Sequence, residues 1–442
     1  MATVPKAEGT EVVKIDIDAL ASEMDKMVLD NFPMLPKHTT PCIFRAPSIM
    51  STHNPEAYTP KGFSIGPFHY NEPHLQTTQK IKMRYMDELI SSCFPDTDRK
   101  SKLKDLIAAI SEVKDEAWQC YEGSFDMIIS MDEFVKLLVL DGCFLIEFFR
   151  KHMNMELQKS NDPIFEANNY MMSFLNNDLI LLENQIPWLV LDCLFQKIMS
   201  PEEIVELPLI TLVTDFFSDW WFSTQVENNF EEVHKCENKH ILDLLRNSLI
   251  LPSTIAKQKP TPIVNWKMMT ATSLQEAGIK LKKAKNGTTT SILDIKFKNG
   301  ILEIPQLSLH GVTETLFENL ICLEQCLFSY NEVITSYMIF LNHLIDSAED
   351  MEILVNNDIM EKYMEMDDAT IFFNRISNGT ICQHYYIDIV DDINKYCGRR
   401  WPRYRRVLKR DYFKHPWALI SVLVAVTLLI LAFLQTVFSI IK

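Results

Sequence analysis

Three groups of residues in this 442-residue chain have side chains and spacings that could do chemistry. His69 and His74 flank Asn71, Glu72 and Pro73, where an imidazole could act as general acid or base if a nucleophile such as Ser64 lay close. Loop polarity accounts for the same residues without catalysis. His234, Cys236 and His240 could offer two or three metal ligands, but no fourth ligand is supplied nearby, and His240 opens the amphipathic run HILDLLRNSLI. A polar helix start is the better account there. Cys322 and Cys326 stand four apart on an apolar helical pattern, which reads most simply as core packing rather than ligation or redox chemistry. No catalytic, cofactor-binding or metal-ligating residue is assigned from these groups.

Motifs with stricter geometry are missing. Glycine is scarce, 11 in 442, and no GxGxxG or GxxxxGK[ST] pattern occurs to let backbone amides approach a phosphate. The nearest, Gly62 to Gly66, does not match. HExxH and CxxC are absent as well. Kinase, GTPase and dinucleotide-binding chemistries are therefore not expected, and no cofactor is implied.

Charge is divided unevenly. Arg399, Arg400, Arg403, Arg405, Arg406, Lys409, Arg410 and Lys414 form a basic cluster against one anion, Asp411. That cluster nets +7 and Lys442 adds one more, so with −16 overall the rest of the chain carries −24. A body this acidic repels phosphate backbones, and a nucleic-acid partner is not expected. The cluster suits anionic lipid headgroups. Directly after it, Trp417 to Ile441 is an apolar run of 25 residues broken only by Ser421, Thr427, Gln435, Thr436 and Ser439. As a helix it would span roughly 30 Å of hydrocarbon. The expectation is one C-terminal transmembrane helix, with the bilayer as a partner through 417–441 and the cations as a membrane-surface contact.

Cations on the N-terminal side of such a span favour a cytosolic body, and Met1 to Asp30 contains no signal-peptide pattern, so a tail anchor is expected, with the plasma membrane as the expected location. Ten cysteines, mostly within apolar helical patterns, fit a reducing compartment. Two sequons, at Asn286 and Asn378, would be glycosylated if the body were instead extracellular or lumenal, which makes the topology testable.

The elements that must position these residues are mostly helical. Leu103, Leu106, Ile107, Ile110 and Val113 form a stripe at three- and four-residue spacing on 102–119. Phe134, Leu137, Leu138, Asp141 and Leu145 form a second, and Tyr337, Phe340, Leu341, Leu344 and Ile345 a third. Residues 178–195 are apolar nearly all round and read as a buried helix bent at Pro187. Glu183, Asn184 and Gln185 interrupt it, and as buried polar groups they must tie neighbouring helices together. Leu293, Ile295 and Phe297 alternate with polar residues ahead of Asn299-Gly300, and Leu302 and Ile304 follow, which predicts a β-hairpin ended by Pro305. The expected fold is mainly α: a large helical body with a small β-hairpin or sheet element plus the transmembrane helix. Its parts are an N-terminal extension (1–40), the body (41–398, with a possible internal loop at 252–270), a basic neck (399–416) and the span (417–441).

Several of these blocks together resemble the plant family known as domain of unknown function 247. They are PCIFRAP (Pro41 to Pro47), YTPKGFSIGPFHY (Tyr58 to Tyr70), FVKLLVLDGCFLIEFF (Phe134 to Phe149), NDLILLENQIPWLVL (Asn177 to Leu191), HILDLL (His240 to Leu245), LQEAGIKL (Leu274 to Leu281), LDIKFKNGILEIPQL (Leu293 to Leu307), the block from Glu314 to Gln325, and YFKHPW with the terminal apolar run. Where many relatives carry a His-His pair, this chain has His69-Tyr70, which weakens any case for paired-histidine chemistry. Where relatives commonly have Gly-Ile-Ile, it has Asp358-Ile359-Met360, which puts the turn expected there in doubt. The resemblance implies a membrane-anchored plant protein with no established activity or cofactor. For some grass members it implies a role in pollen self-incompatibility. The expected function is a non-enzymatic, membrane-tethered recognition or signalling protein that binds an unknown protein partner. The alternative is a membrane-bound enzyme with an unfamiliar site built from His69, Glu183 or the Cys236 cluster.

Overall fold

The computed structural model describes residues 16–31, 41–123, 129–166, 170–221, 233, 235–261, 268–285, 291–327, 329–362, 365–376, 379–398 and 416–441. The chain divides into two compact units, Met1–Thr40 and Pro41–Lys442. The first contains helix α1, Ile17–Asn31, with Ile17, Leu20, Met24 and Met27 exposed along one stripe.

The second unit is built on one hydrophobic core. Its early part comprises α2 (Gln79–Cys93), α3 (Arg99–Gln119), α4 (Met131–Met153), α5 (Tyr170–Asp178), α6 (Trp188–Ile198), α7 (Leu209–Trp221) and α8 (Ile241–Ile250). Helix α4 is the axis of this part, packing against α2, α3, α6 and α7. Its start is fixed by a capping box in which Ser130 accepts from the Glu133 amide and the Glu133 carboxylate accepts from the Ser130 amide. An almost wholly apolar sequence, FVKLLVLDGCFLIEFF, explains why it is buried nearly all round. The predicted stripes on α3 and α4 are present, except that Ile107 is exposed while Ala109 takes the buried position.

The later part comprises α9 (Gly311–Cys326), α10 (Val333–Leu344), α11 (Ala348–Asn356), α12 (Met366–Ile376) and α13 (Ile387–Cys397). Two small sheets accompany them. Strands β1 (Lys280–Lys283), β2 (Lys296–Lys298) and β3 (Ile301–Ile304) form one in the order β1-β3-β2, with β1 parallel and β2 antiparallel to β3. Strands β4 (Leu307–Leu309) and β5 (Met360–Lys362) pair in parallel.

The predicted hairpin is present, with Asn299 at φ 52° and Gly300 at φ 76° supplying the two positive angles of a type I′ turn. Its first strand starts later than the alternation implied. Residues 291–295 instead wrap around buried Asp294, whose Oδ1 accepts from Ser253 Oγ (3.0 Å), the Thr254 amide (2.8 Å) and Thr254 Oγ1 (2.9 Å). Ahead of β5 the turn is made without glycine, Asp358 taking φ 57°.

Two expectations are corrected. Residues 178–195 are not one bent helix: α5 ends at Asp178, 179–187 is irregular, and Pro187 precedes α6. The Gln185 side chain captures the carbonyls of Leu179 (2.8 Å) and Leu181 (2.9 Å) that a helix would have used, a local competition that side-chain amides win when buried.

The transmembrane helix is the second correction. The chain is helical over α14, Pro416–Ile441, but among the described residues no helix is long and apolar enough to cross a membrane. The basic cluster, Arg399 to Lys414, lies outside the described residues, as do Asn286 and Asn378.

Candidate functional site

The polar residues that drew attention in the sequence converge where the loop 58–70 crosses the irregular segment 179–187. At its base, Asp178 ends α5 fully buried and accepts three amides of the crossing loop: Lys61 (2.8 Å), Gly62 (2.8 Å) and Phe63 (2.7 Å). Burial pushes its carboxyl up to about 6 against the opposing pull of those donors. Asn184 Oδ1 accepts the Ile65 amide (2.7 Å), and its Nδ2 donates to Phe63 O and Asp178 O, both at 2.9 Å. Gln185 Oε1 accepts the Leu242 amide of α8 (3.2 Å).

Beneath the loop, Asp141 of α4 accepts the Gly66 amide (2.9 Å) and pairs with Lys82 of α2 at 2.6 Å, and Lys82 also donates to Ser64 O. Both charges are fully buried. From the later half, Asn319 of α9 accepts the Leu182 amide (2.8 Å) and donates to Ala57 O (2.7 Å). Gly66, at φ 77°, brings its backbone so close to the Gln185 carbonyl that an added Cβ would lie 2.4 Å from that oxygen. The trio 183–185 thus ties loops to one another and to helix ends, rather than helix to helix.

Above this knot sits an ionic crown. Glu183 Oε1 accepts the Ala46 amide (2.9 Å), while its Oε2 faces Arg45 (3.5 Å) and His69 Nε2 (3.3 Å). The His69 contact is ionic rather than directional, since Nε2 lacks an aligned hydrogen bond. His69 Nδ1 meets Glu72 at 2.5 Å, and Glu72 reaches His74 at 3.5 Å. Burial opposes charge on His69, but Glu183 and Glu72 outweigh it and hold the imidazole above its usual value. Arg45 lies over the Phe68 ring, 4.6 Å from its centroid. Outward, the Arg45 and His74 side chains are 50% and 53% exposed.

This geometry decides the chemistry weighed from sequence. Ser64 is fully buried and its Oγ has no hydrogen-bond partner, so the nucleophile and base do not meet. His234 lies outside the described residues; Cys236 is half-buried, and His240 caps α8 with both nitrogens in use. Its Nδ1 accepts the Asp243 amide (3.2 Å) and its Nε2 donates to Cys42 O (3.0 Å), and burial lowers its pKa to about 4. Cys322 is core packing, with Cys326 half-buried beside it. Among the described residues no group of three or more His, Cys, Asp or Glu side chains could hold a metal ion. Two cavities lie away from the crown: about 180 Å³ beside Arg150, Phe195 and Met199, and about 20 Å³ beside Tyr58, Glu318 and Arg375. Glu318, pushed up to about 7 by burial, is held by Asn54 at 2.8 Å.

Sequence reasoning missed Asp178, Lys82 and Asn319 as members of the knot. A signal existed for two of them: Lys82 lies on a helical face with Tyr85 and Leu89, and Asn319 follows Leu316 and precedes Leu320 and Leu323, so each is a polar residue in an apolar stripe.

Comparison with known proteins gives the family. The chain belongs to the plant family of unknown function called domain of unknown function 247, whose model matches residues 43–431. It is similar to the UPF0481 protein At3g47200 of Arabidopsis thaliana, 28% identical over 91% of this chain and 86% of that one. It is also similar to the putative UPF0481 protein At3g02645 of the same plant, 20% identical over 90% of each. No solved structure matches.

Proposed function

We propose that this protein is a non-catalytic recognition module that binds a protein partner through the crown of Arg45, Glu72 and His74. The observation that carries this reading is the placement of these charges: Arg45 and His74 stand exposed and Glu72 half-buried, beside backbone at Ala46 and in the 61–65 loop that Glu183, Asn184 and Asp178 hold by hydrogen bonds. Preorganised charges of mixed sign favour specificity, because a partner meets them without ordering cost and a mismatched one meets repulsion. His69 and His240, the histidines weighed for catalysis, are instead committed to ion pairs and hydrogen bonds within the crown and at the start of α8. The pollen role that the resemblance implies for some grass relatives is not needed for this reading.

Photo-crosslinking of the full chain in plant extract tests it, with the reactive residue at position 74 and, as control, at position 205, where Val205 is 80% exposed. The expected outcome is one discrete adduct from position 74, none from 205, and its loss in Arg45→Glu. Equal labelling from both positions, or an adduct indifferent to Arg45→Glu, would overturn it.

A further inference from the structure

Cys42 and Cys120 lie side by side where the start of the second unit crosses the end of α3. The amides of Cys42 (2.7 Å) and Ile43 (2.8 Å) both donate to Cys120 O, and the Glu122 amide returns to Ile43 O (2.9 Å). Ile43 and Tyr121 form a parallel bridge, so one residue back on each chain Cys42 stands opposite Cys120. With 2.7 Å between the Cys42 amide nitrogen and Cys120 O, standard bond lengths hold the two Cα atoms within about 6.6 Å, inside the roughly 4.4–6.8 Å that a disulfide accepts. Both thiols are reduced, and Cys120 Sγ donates to Glu116 O at 3.4 Å. Cys42 is buried while Cys120 is half-buried, so one sulfur is reachable and the other protected.

The local field separates their roles. The neighbouring Cys42 thiol, with the Lys239 ammonium in support, holds the Cys120 thiol below its usual value, whereas the proximity of Cys120 and burial drive the Cys42 thiol upward. Cys322 and Cys326 are also neighbours, but four residues apart on one helix their Cβ atoms are held about 5–6 Å apart, beyond the roughly 3.5–4.5 Å a disulfide needs.

We propose that Cys42 and Cys120 form an oxidation site at which a hydroperoxide converts the thiol pair into a disulfide. The Cys120 thiolate attacks the peroxide, the O–O bond breaks, and sulfenic acid forms as the alcohol or water leaves with a proton. The Cys42 sulfur then gives up its proton and attacks the sulfenic sulfur, forming the S–S bond as the S–O bond breaks and water leaves. Two thiols are oxidised by two electrons, and the hydroperoxide is reduced to an alcohol, or to water, plus one water. The product ties residue 42 covalently to the end of α3.

The test is hydrogen peroxide applied to the full chain, followed by alkylation and non-reducing tryptic mapping. The expected result is a loss of two of the ten titratable thiols and a linked peptide pair, 38–45 with 115–136, that dissolves on reduction. In Cys42→Ser, Cys120 should accumulate a sulfenic acid that dimedone traps. Cys120 recovered as free thiol while Cys93 or Cys193 is oxidised would overturn the proposal, and so would Cys120 oxidised without the link in the unmutated chain, a result independent of whether the variant folds.

Discussion

At the scale of single residues, the knot concentrates its energy in groups that serve several backbone donors at once. Asp178→Ala would leave three amides without acceptors, two of them buried, and at about 1–3 kcal/mol for each buried orphan a loss of about 2–4 kcal/mol is expected. Urea unfolding measures it, and Asp178→Asn, which keeps one acceptor oxygen, should cost clearly less. His240 makes a second prediction, in pH. Its folded value of about 4 lies below its unfolded value of 6.5, so the stability it confers is complete above pH 6.5 and falls away as pH drops toward 4, by roughly 3 kcal/mol in all. Asp178 acts in the opposite sense, its contribution falling as pH rises from 3.8 toward 6. The His240 effect is therefore read as the difference between the unmutated chain and His240→Asn across pH 4–7; parallel stability curves would refute the assignment.

At the scale of elements, the hairpin shows how far local sequence reaches. Asn299-Gly300 specifies the turn by itself, but the turn is pressed against α13, where a Cβ on Gly300 would stand 2.5 Å from Tyr396 Oη. Gly300→Ala combines an unfavourable left-handed angle of about 1–2 kcal/mol with that collision, so a loss of about 2–3 kcal/mol in thermal unfolding is expected. Adding Tyr396→Phe, which removes the colliding oxygen, should restore part of it; additivity of the two changes would argue against the contact. The segment 178–195 shows the limit of periodicity. Apolar on every side, it reads equally as buried helix or buried loop, and only the hydrogen bonds of Asn184 and Gln185 to loops over a hundred residues earlier and to nearby carbonyls decide between them.

At the scale of the whole molecule, one hydrophobic core and Asn319 join the early helices to the later ones. Asn319→Ala, which leaves the Leu182 amide and the Ala57 carbonyl unpaired, should lower the transition of the second unit as a whole by about 2–4 kcal/mol. Calorimetry would show one endotherm moving down; a split into two would mean that the halves unfold separately. The acidic balance of −16 also belongs to this scale. It makes association with a partner sensitive to salt, and makes the exposed Arg45 guanidinium a local exception on a repulsive background.

What the sequence determined by itself were the features that depend on neighbours along the chain: the apolar stripes of α3, α4 and α10, the I′ turn at Asn299-Gly300, His240 as the opening of α8, and the family to which the chain belongs. What only the tertiary structure decided were the pairings between distant segments. Lys82 with Asp141, Asp178 with the 61–63 amides, and Cys42 opposite Cys120 each join positions 59 to 117 residues apart, and no spacing rule links them. The physical reason is that a buried polar group is satisfied by whatever donor the packing brings within about 3 Å, and packing, unlike periodicity, is a property of the whole chain.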